Sequence, residues 1–211
     1  YEHLGDITVY VEDLHALWQK DAARRNILIT PDDAHIVDEL EIPFPVSMVW
    51  EAMTKPESRN RVFGGDGQEP VSLVRGLIGE GTSYHCAHGD ILMIHQIIDW
   101  EPFEYYTFDF FIDFIDLTSR FTFYFSPTEN GTRARFSARV MGEADQVTDE
   151  KVAKFSEVYS GAHQMLLGNI ANVLGELIAE GEITQVAASS TPKFDISQAA
   201  EKSLQNLPKP D

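Results

Sequence analysis

Thr118-Ser119-Arg120-Phe121-Thr122-Phe123-Tyr124-Phe125-Ser126, then Pro127-Thr128-Glu129-Asn130-Gly131, then Thr132-Arg133-Ala134-Arg135-Phe136-Ser137-Ala138-Arg139-Val140-Met141: this stretch decides the fold. Phe121, Phe123 and Phe125 recur at every second residue, and Phe136 shares a phase with the small Ala134 and Ala138. A period of two turns one set of side chains to a core and the other to water, as in a half-buried strand. The Asn130-Gly131 pair between the two runs is a hairpin signal.

The pattern continues outward in both directions. Upstream, Tyr106, Phe108 and Phe110 alternate within Tyr105–Ile112, Glu101-Pro102-Phe103 breaks the chain, and Gly89-Asp90 joins Ile91–Trp100 to the strand of Tyr84, Cys86 and His88. Val71–Leu77 and His35–Ile42 also read as strands. Pro43 and Pro45 stop the latter. A short helix follows, capped by Ser47, carrying Val49, Trp50 and Met53 and ended by Lys55-Pro56. Arg59–Gly67 reads as a loop, with Gly64-Gly65-Asp66-Gly67 gating a cavity mouth. No Lys-Ser/Thr follows that loop, so it is not a phosphate cradle. Downstream, one helix over about 148–179 carries Val152, Phe155, Tyr159, His163, Leu166, Ile170, Val173 and Leu177 on a single stripe. The natural place for that stripe is against the aromatic face of the sheet. The expected class is α+β, a curved antiparallel sheet of about seven strands around a long C-terminal helix, with a cavity between them.

Three segments follow from this layout: an N-terminal strand–helix arm over 1–30, the main domain over 35–181, and a tail over 182–211 rich in Ala, Ser, Thr, Gln and Pro. In the arm, Ile7–Val11 is a strand pattern, and Asp13 precedes a helix with Leu14, Leu17 and Trp18. The chain opens on Tyr1 directly into that pattern, which reads as a piece of a longer protein. A formal charge of -18 lacks the clustered cations that nucleic acid or an anionic membrane requires. A single cysteine excludes an internal disulfide and fits a reducing cytosol, so a cytoplasmic location is expected.

Pro43-x-Pro45-x-x-x-Val49-Trp50, Gly79-x-Gly81-Thr82-x-Tyr84-x-Cys86-x-His88-Gly89, Asp99-Trp100-x-Pro102-Phe103-x-Tyr105-Tyr106-Thr107 and Asn130-Gly131-Thr132-Arg133 stand in an order that resembles the START/Bet v 1-like superfamily, which includes the polyketide cyclase/dehydrase-like (SRPBCC) proteins. The resemblance covers about 35–180. It implies a helix-grip fold, a seven-stranded sheet curled around the last helix with an apolar cavity inside. Function varies across that superfamily, so the fold does not carry it. Residues 1–18, from Tyr1-Glu2-His3-Leu4-Gly5-Asp6 through Val11-x-Asp13-Leu14-x-x-x-Trp18, resemble the junction after a nucleotide-cyclase-like domain in some bacterial fusions.

No catalytic motif stands out, and a binding module is expected over an enzyme. The candidate wall is Trp50, Tyr84, His88, Phe108, Phe123, Phe136, Phe155, Tyr159 and His163, around a small apolar or aromatic ligand. If the domain is an enzyme of the cyclase/dehydrase kind, His163 or His88 is the general base. A third reading, similar to the co-chaperone branch, is a protein-interaction module with an exposed groove. Cys86 and His88 with His95 and His163 make an incomplete zinc set, so no metal and no cofactor are expected. Asp109, Asp113 and Asp116 lack the spacing of a calcium loop and read as edge charges. Arg133, Arg135 and Arg139 read as a solvated stripe paired to acids on neighbouring strands. Gly161, Gly168 and Gly175 fall on the opposite face of the last helix, spaced by seven. They read as a seam for the N-terminal arm or a second copy of the chain.

Overall fold

The computed structural model describes residues 27–64, 78–88 and 91–181, with isolated positions at 14, 16, 17, 21 and 73. The side chains of residues 86–88, 91, 92 and 162 are outside that description. So are the strand expected at Ile7–Val11, the cap Asp13, the tail over 182–211 and nearly all of the strand expected at Val71–Leu77.

Six strands form one antiparallel sheet: β1 (Ile36–Ile42), β2 (Ser83–His88), β3 (Ile91–Glu101), β4 (Tyr105–Ile112), β5 (Leu117–Thr128) and β6 (Gly131–Met141). Their order is β1-β6-β5-β4-β3-β2. Six strands among the described residues replace the expected seven. The architecture is the helix-grip: α1 (Val46–Thr54) and α2 (Pro56–Phe63) follow β1, and α3 (Asp149–Ala179) lies across the aromatic face. No described helix is long and apolar enough to cross a membrane.

Cross-strand register builds the aromatic face. Phe108 sits opposite Phe121, Tyr106 opposite Phe123, and Phe123 opposite Phe136. The Phe108 and Phe121 rings are nearly parallel, with centroids 5.2 Å apart. Such pairs stabilise neighbouring strands by roughly 0.2–1 kcal/mol each. A bulge between Ile97 and Asp99 reverses the phase of β3. Before it, His95 and Ile97 face the rings. After it Trp100 does, opposite Tyr106, with its ring 4.8 Å from Trp50.

The opposite face departs from simple alternation. Thr107, Thr122 and Ser137 there are fully buried where water was expected. Leu28–Ile29 lies over this face. Ile29 N donates to Thr122 Oγ1 at 3.1 Å, and the Tyr124 hydroxyl donates to the Ile29 carbonyl at 3.4 Å. The arginine stripe is partly as expected, with Arg133 3.3 Å from Glu39. Arg135 instead lies over the Tyr124 ring, 5.0 Å from its centroid. Asp109 is held by Arg120 through two bonds of 2.8 and 2.9 Å.

Three local expectations are corrected. Ser47 lies inside the first turn of α1, whose cap position is Pro45. Lys55-Pro56 ends α1 but also begins α2, because a proline at the first helical position loses no hydrogen bond. Arg59–Phe63 is therefore helical, and Gly64 closes α2 in the left-handed conformation at φ 68°. The β5–β6 turn is Glu129-Asn130, neither at positive φ, so Asn-Gly does not occupy its centre as a type I′ turn requires. Gly131 opens β6 at φ 155°, where a Cβ would stand 2.2 Å from the Ile42 carbonyl oxygen. The need for glycine there is a close backbone approach.

α3 begins at Thr148, whose side chain accepts from Lys151 N, with Asp149 and Glu150 in the first turn where the helix dipole favours acids. Phe155, His163, Leu166, Ile170, Val173 and Leu177 are buried on its inner face, joined by Leu167 and Leu174. On the outer face, a Cβ at Gly161, Gly168 or Gly175 would meet nothing within 4 Å. Among the described residues nothing packs on that seam.

Candidate functional site

Between α2, α3 and the aromatic face lies a cavity of about 330 Å³. β4 and β5 give it Phe108, Phe110, Phe121 and Phe123, and β6 gives Phe136. α3 contributes Tyr159, His163, Leu166 and Asn169, α2 contributes Val62 and Phe63, and β3 contributes Met93 and His95. Rings make most of the wall, so a ligand gains chiefly by removing its carbon surface from water. Two ties hold α2 against α3. Asn169 Nδ2 donates to the Val62 carbonyl at 3.3 Å, and Arg61 bridges Glu176 at 2.7 Å and Glu180 at 3.0 Å.

Two buried histidines interrupt the apolar wall. His163 is 5 % exposed, its ring centroid 3.6 Å from that of Phe136 and stacked on Tyr159 at 5.6 Å. Burial pushes its pKa down to about 3, so it is neutral at pH 7. Its Nδ1 lies 3.5 Å from Asp38 Oδ2 on β1. Burial raises the Asp38 pKa, against a hydrogen bond from Gln164 that lowers it.

His95 is 2 % exposed and stacks on Phe108 at 4.8 Å. Its Nδ1 is 2.9 Å from Arg59 Nη2. A guanidinium only donates, so Nδ1 accepts and the neutral ring carries its proton on Nε2. Arg59 is itself 1 % exposed, its guanidinium 3.9 Å from the Phe63 centroid and 4.2 Å from that of Tyr84.

Of the residues expected in the wall, Phe108, Phe123, Phe136, Tyr159 and His163 come together around this cavity. Trp50, Tyr84 and Phe155 do not line it. Trp50 belongs to a separate cluster with Trp100, Phe103, Tyr106 and Phe125. There Phe103 takes φ 67° in the turn closed by Glu104 N and the Glu101 carbonyl, a position that favours glycine. Tyr84 stands behind Arg59 and donates to the Thr54 carbonyl at 2.6 Å. Burial pushes its pKa up to about 12. Phe155 is fully buried against Phe121 and Tyr159, filling the space between helix and sheet. His88 pairs with Ile91 through its backbone, and its side chain is not described. Among the described residues no three His, Cys, Asp or Glu gather to hold a metal.

Phe110, Phe121, His95 and Phe63 line the cavity although the expected wall omits them, and Arg59 stands behind His95. Phe110 and Phe121 share the period of Phe108 and Phe123 and were within reach of that signal. His95 is hidden by the bulge, because a strand of single phase cannot send both His95 and Trp100 inward. Arg59 and Phe63 were lost with the helix that Pro56 begins.

No family model matches this chain, and no curated protein matches it by sequence. Solved structures do match in three dimensions. Protein MLL2253 from Mesorhizobium loti has a TM-score of 0.53 at 16 % identity, covering 67 % of this chain and 96 % of its own. SA2116 from Staphylococcus aureus, a protein of unknown function, has 0.53 at 14 % identity, covering 68 % and 94 %. DynU16, of the dynemicin biosynthetic locus, has 0.51 at 18 % identity, covering 66 % of this chain and 46 % of its own. At these identities the likeness is one of fold: a strand–helix arrangement shared with proteins of diverged sequence.

Proposed function

We propose that this chain binds a small apolar or aromatic ligand in the cavity between α2, α3 and the sheet. The observation that carries the reading is the cavity itself, about 330 Å³ walled by stacked rings with two buried histidines. A cleft of this size with an apolar lining and a few polar groups is the usual form of a small-molecule site. It agrees with what the START/Bet v 1-like resemblance implies. In a fusion with a cyclase-like domain, occupancy would bias that neighbour.

A cyclase/dehydrase with His163 as general base fits less well. A group held near a pKa of 3 is a poor proton acceptor at neutral pH. A co-chaperone-like groove fits less well too, because α3 covers the aromatic face. The glycine seam on the outer face of α3 suits contact with a second copy, since it is open to a Cβ at all three positions.

The test begins with native mass spectrometry of the purified protein, followed by release and identification of any retained molecule. Titration with the neutral fluorophore N-phenyl-1-naphthylamine follows, on wild type and on Leu166→Trp, which fills the cavity. Binding that is lost in Leu166→Trp is expected. Absence of binding, or binding untouched by the substitution, overturns the proposal.

A further inference from the structure

We infer that the cavity takes a planar ligand bearing an O–H or N–H donor, that His163 Nε2 is the acceptor reading it, and that Asp38 holds the imidazole in the tautomer this requires. The inference rests on the ligand-binding reading above and names the chemistry of the ligand. Its first support is a pair of buried atoms. His163 Nδ1 and Asp38 Oδ2 stand 3.5 Å apart, and neither has a hydrogen-bond partner. A carboxylate accepts only, and a neutral imidazole has one donating and one accepting nitrogen. With the proton on Nε2, a lone pair would face a carboxylate oxygen where little water screens them. With it on Nδ1 the two attract. That leaves Nε2 as the accepting nitrogen, on the side of the ring away from Asp38, and His163 is one of the residues that line the cavity.

The groups packed directly on the His163 ring are themselves rings. Phe121 from β5 and Phe136 from β6 present rings. Tyr159 on the same helix stacks on the imidazole, and no hydrogen bond joins its hydroxyl to His163. The titratable and charged groups around the pair are Asp38 on β1, Tyr159 on α3 and, on β3, His95 backed by Arg59 from α2. An acceptor set in an apolar wall pairs best with a ligand whose donor reaches it. A hydroxyl or ring N–H on a flat arene provides one while its faces meet phenylalanine. A carboxylate of the same shape would bring a second negative charge toward Asp38.

The experiment uses 2-naphthol, 2-methoxynaphthalene, naphthalene and 2-naphthoate as probes, with affinities measured by calorimetry at pH 7.5. Wild type should bind 2-naphthol about tenfold more tightly than its methyl ether or the hydrocarbon, the size of one net hydrogen bond, and 2-naphthoate most weakly. In His163→Phe, checked for folding by circular dichroism, the three neutral arenes should bind within about threefold of one another. Asp38→Asn should narrow or reverse the naphthol preference without loss of naphthalene binding, which a merely structural role for Asp38 does not predict. Equal binding of the neutral arenes to wild type overturns this inference and leaves the cavity reading standing. Failure to bind any of them overturns both. A naphthol preference that survives in His163→Phe assigns the recognition elsewhere and overturns it as well. The wild-type comparison decides even if a variant does not fold.

Discussion

Acidification should destabilise this protein through His163, and replacing it with phenylalanine should remove that part of the response. The histidine titrates near 6.5 when exposed and is pushed down to about 3 by burial. Its proton therefore favours the unfolded chain, and stability falls as pH drops below 6.5. The loss runs at about 1.4 kcal/mol per pH unit. From pH 7.5 to pH 5 the wild type should lose about 2 kcal/mol on this account. His35 is shifted in the same direction by burial and Arg139, but it is common to both proteins. Asp38, shifted up, has the opposite sign: it gains stability as pH falls through its raised value, and because it faces His163 the same pair is also compared on an Asp38→Asn background. A phenylalanine keeps the ring against Phe136 and Tyr159. Urea unfolding of wild type and His163→Phe at pH 7.5, 6.5, 5.8 and 5 gives the difference directly. Curves that run parallel across this range would refute the reasoning.

Phe123→Ala, at a fully buried ring in the cavity wall, should cost about 3–5 kcal/mol and lower the melting temperature accordingly. Gly131→Ala should cost more than about 2 kcal/mol, since its Cβ meets the backbone of Ile42, and denaturant midpoints will show it. Alanine at Gly161, Gly168 or Gly175 should stabilise a lone chain by about 1 kcal/mol each, while Gly168→Leu should shift the sedimentation coefficient if the seam holds a second copy. Arg61→Ala breaks bridges that are well exposed, and its cost in urea unfolding should stay below about 1 kcal/mol.

The larger pattern was legible because it obeys one period at a time. β4, β5 and β6 alternate cleanly, and the α3 stripe from Phe155 to Leu177 keeps a helical period, so ring and helix faces could be matched before any coordinates. Leu167 and Leu174 widen that stripe beyond a single row. The site was less legible where two rules meet. Pro56 serves as terminator and initiator together, and only packing of Val62 against the core shows which role extends the chain. Thr107, Thr122 and Ser137 opposite the rings are polar by composition and dry by position. Their burial depends on Leu28–Ile29, through a contact between Ile29 and Thr122, 93 positions apart, that no local pattern encodes.

The bulge in β3 gives this sheet two separately adjustable ends. Residues ahead of it answer to the cavity, through His95; those beyond it answer to the tryptophan cluster, through Trp100. Any single-residue insertion or deletion at Ile98 would hand one end the other's parity and turn a ring out into solvent. Substitutions, by contrast, can reshape the ligand end while the tryptophan end keeps anchoring α1. A family drifting in sequence could change what it carries without renegotiating how it folds.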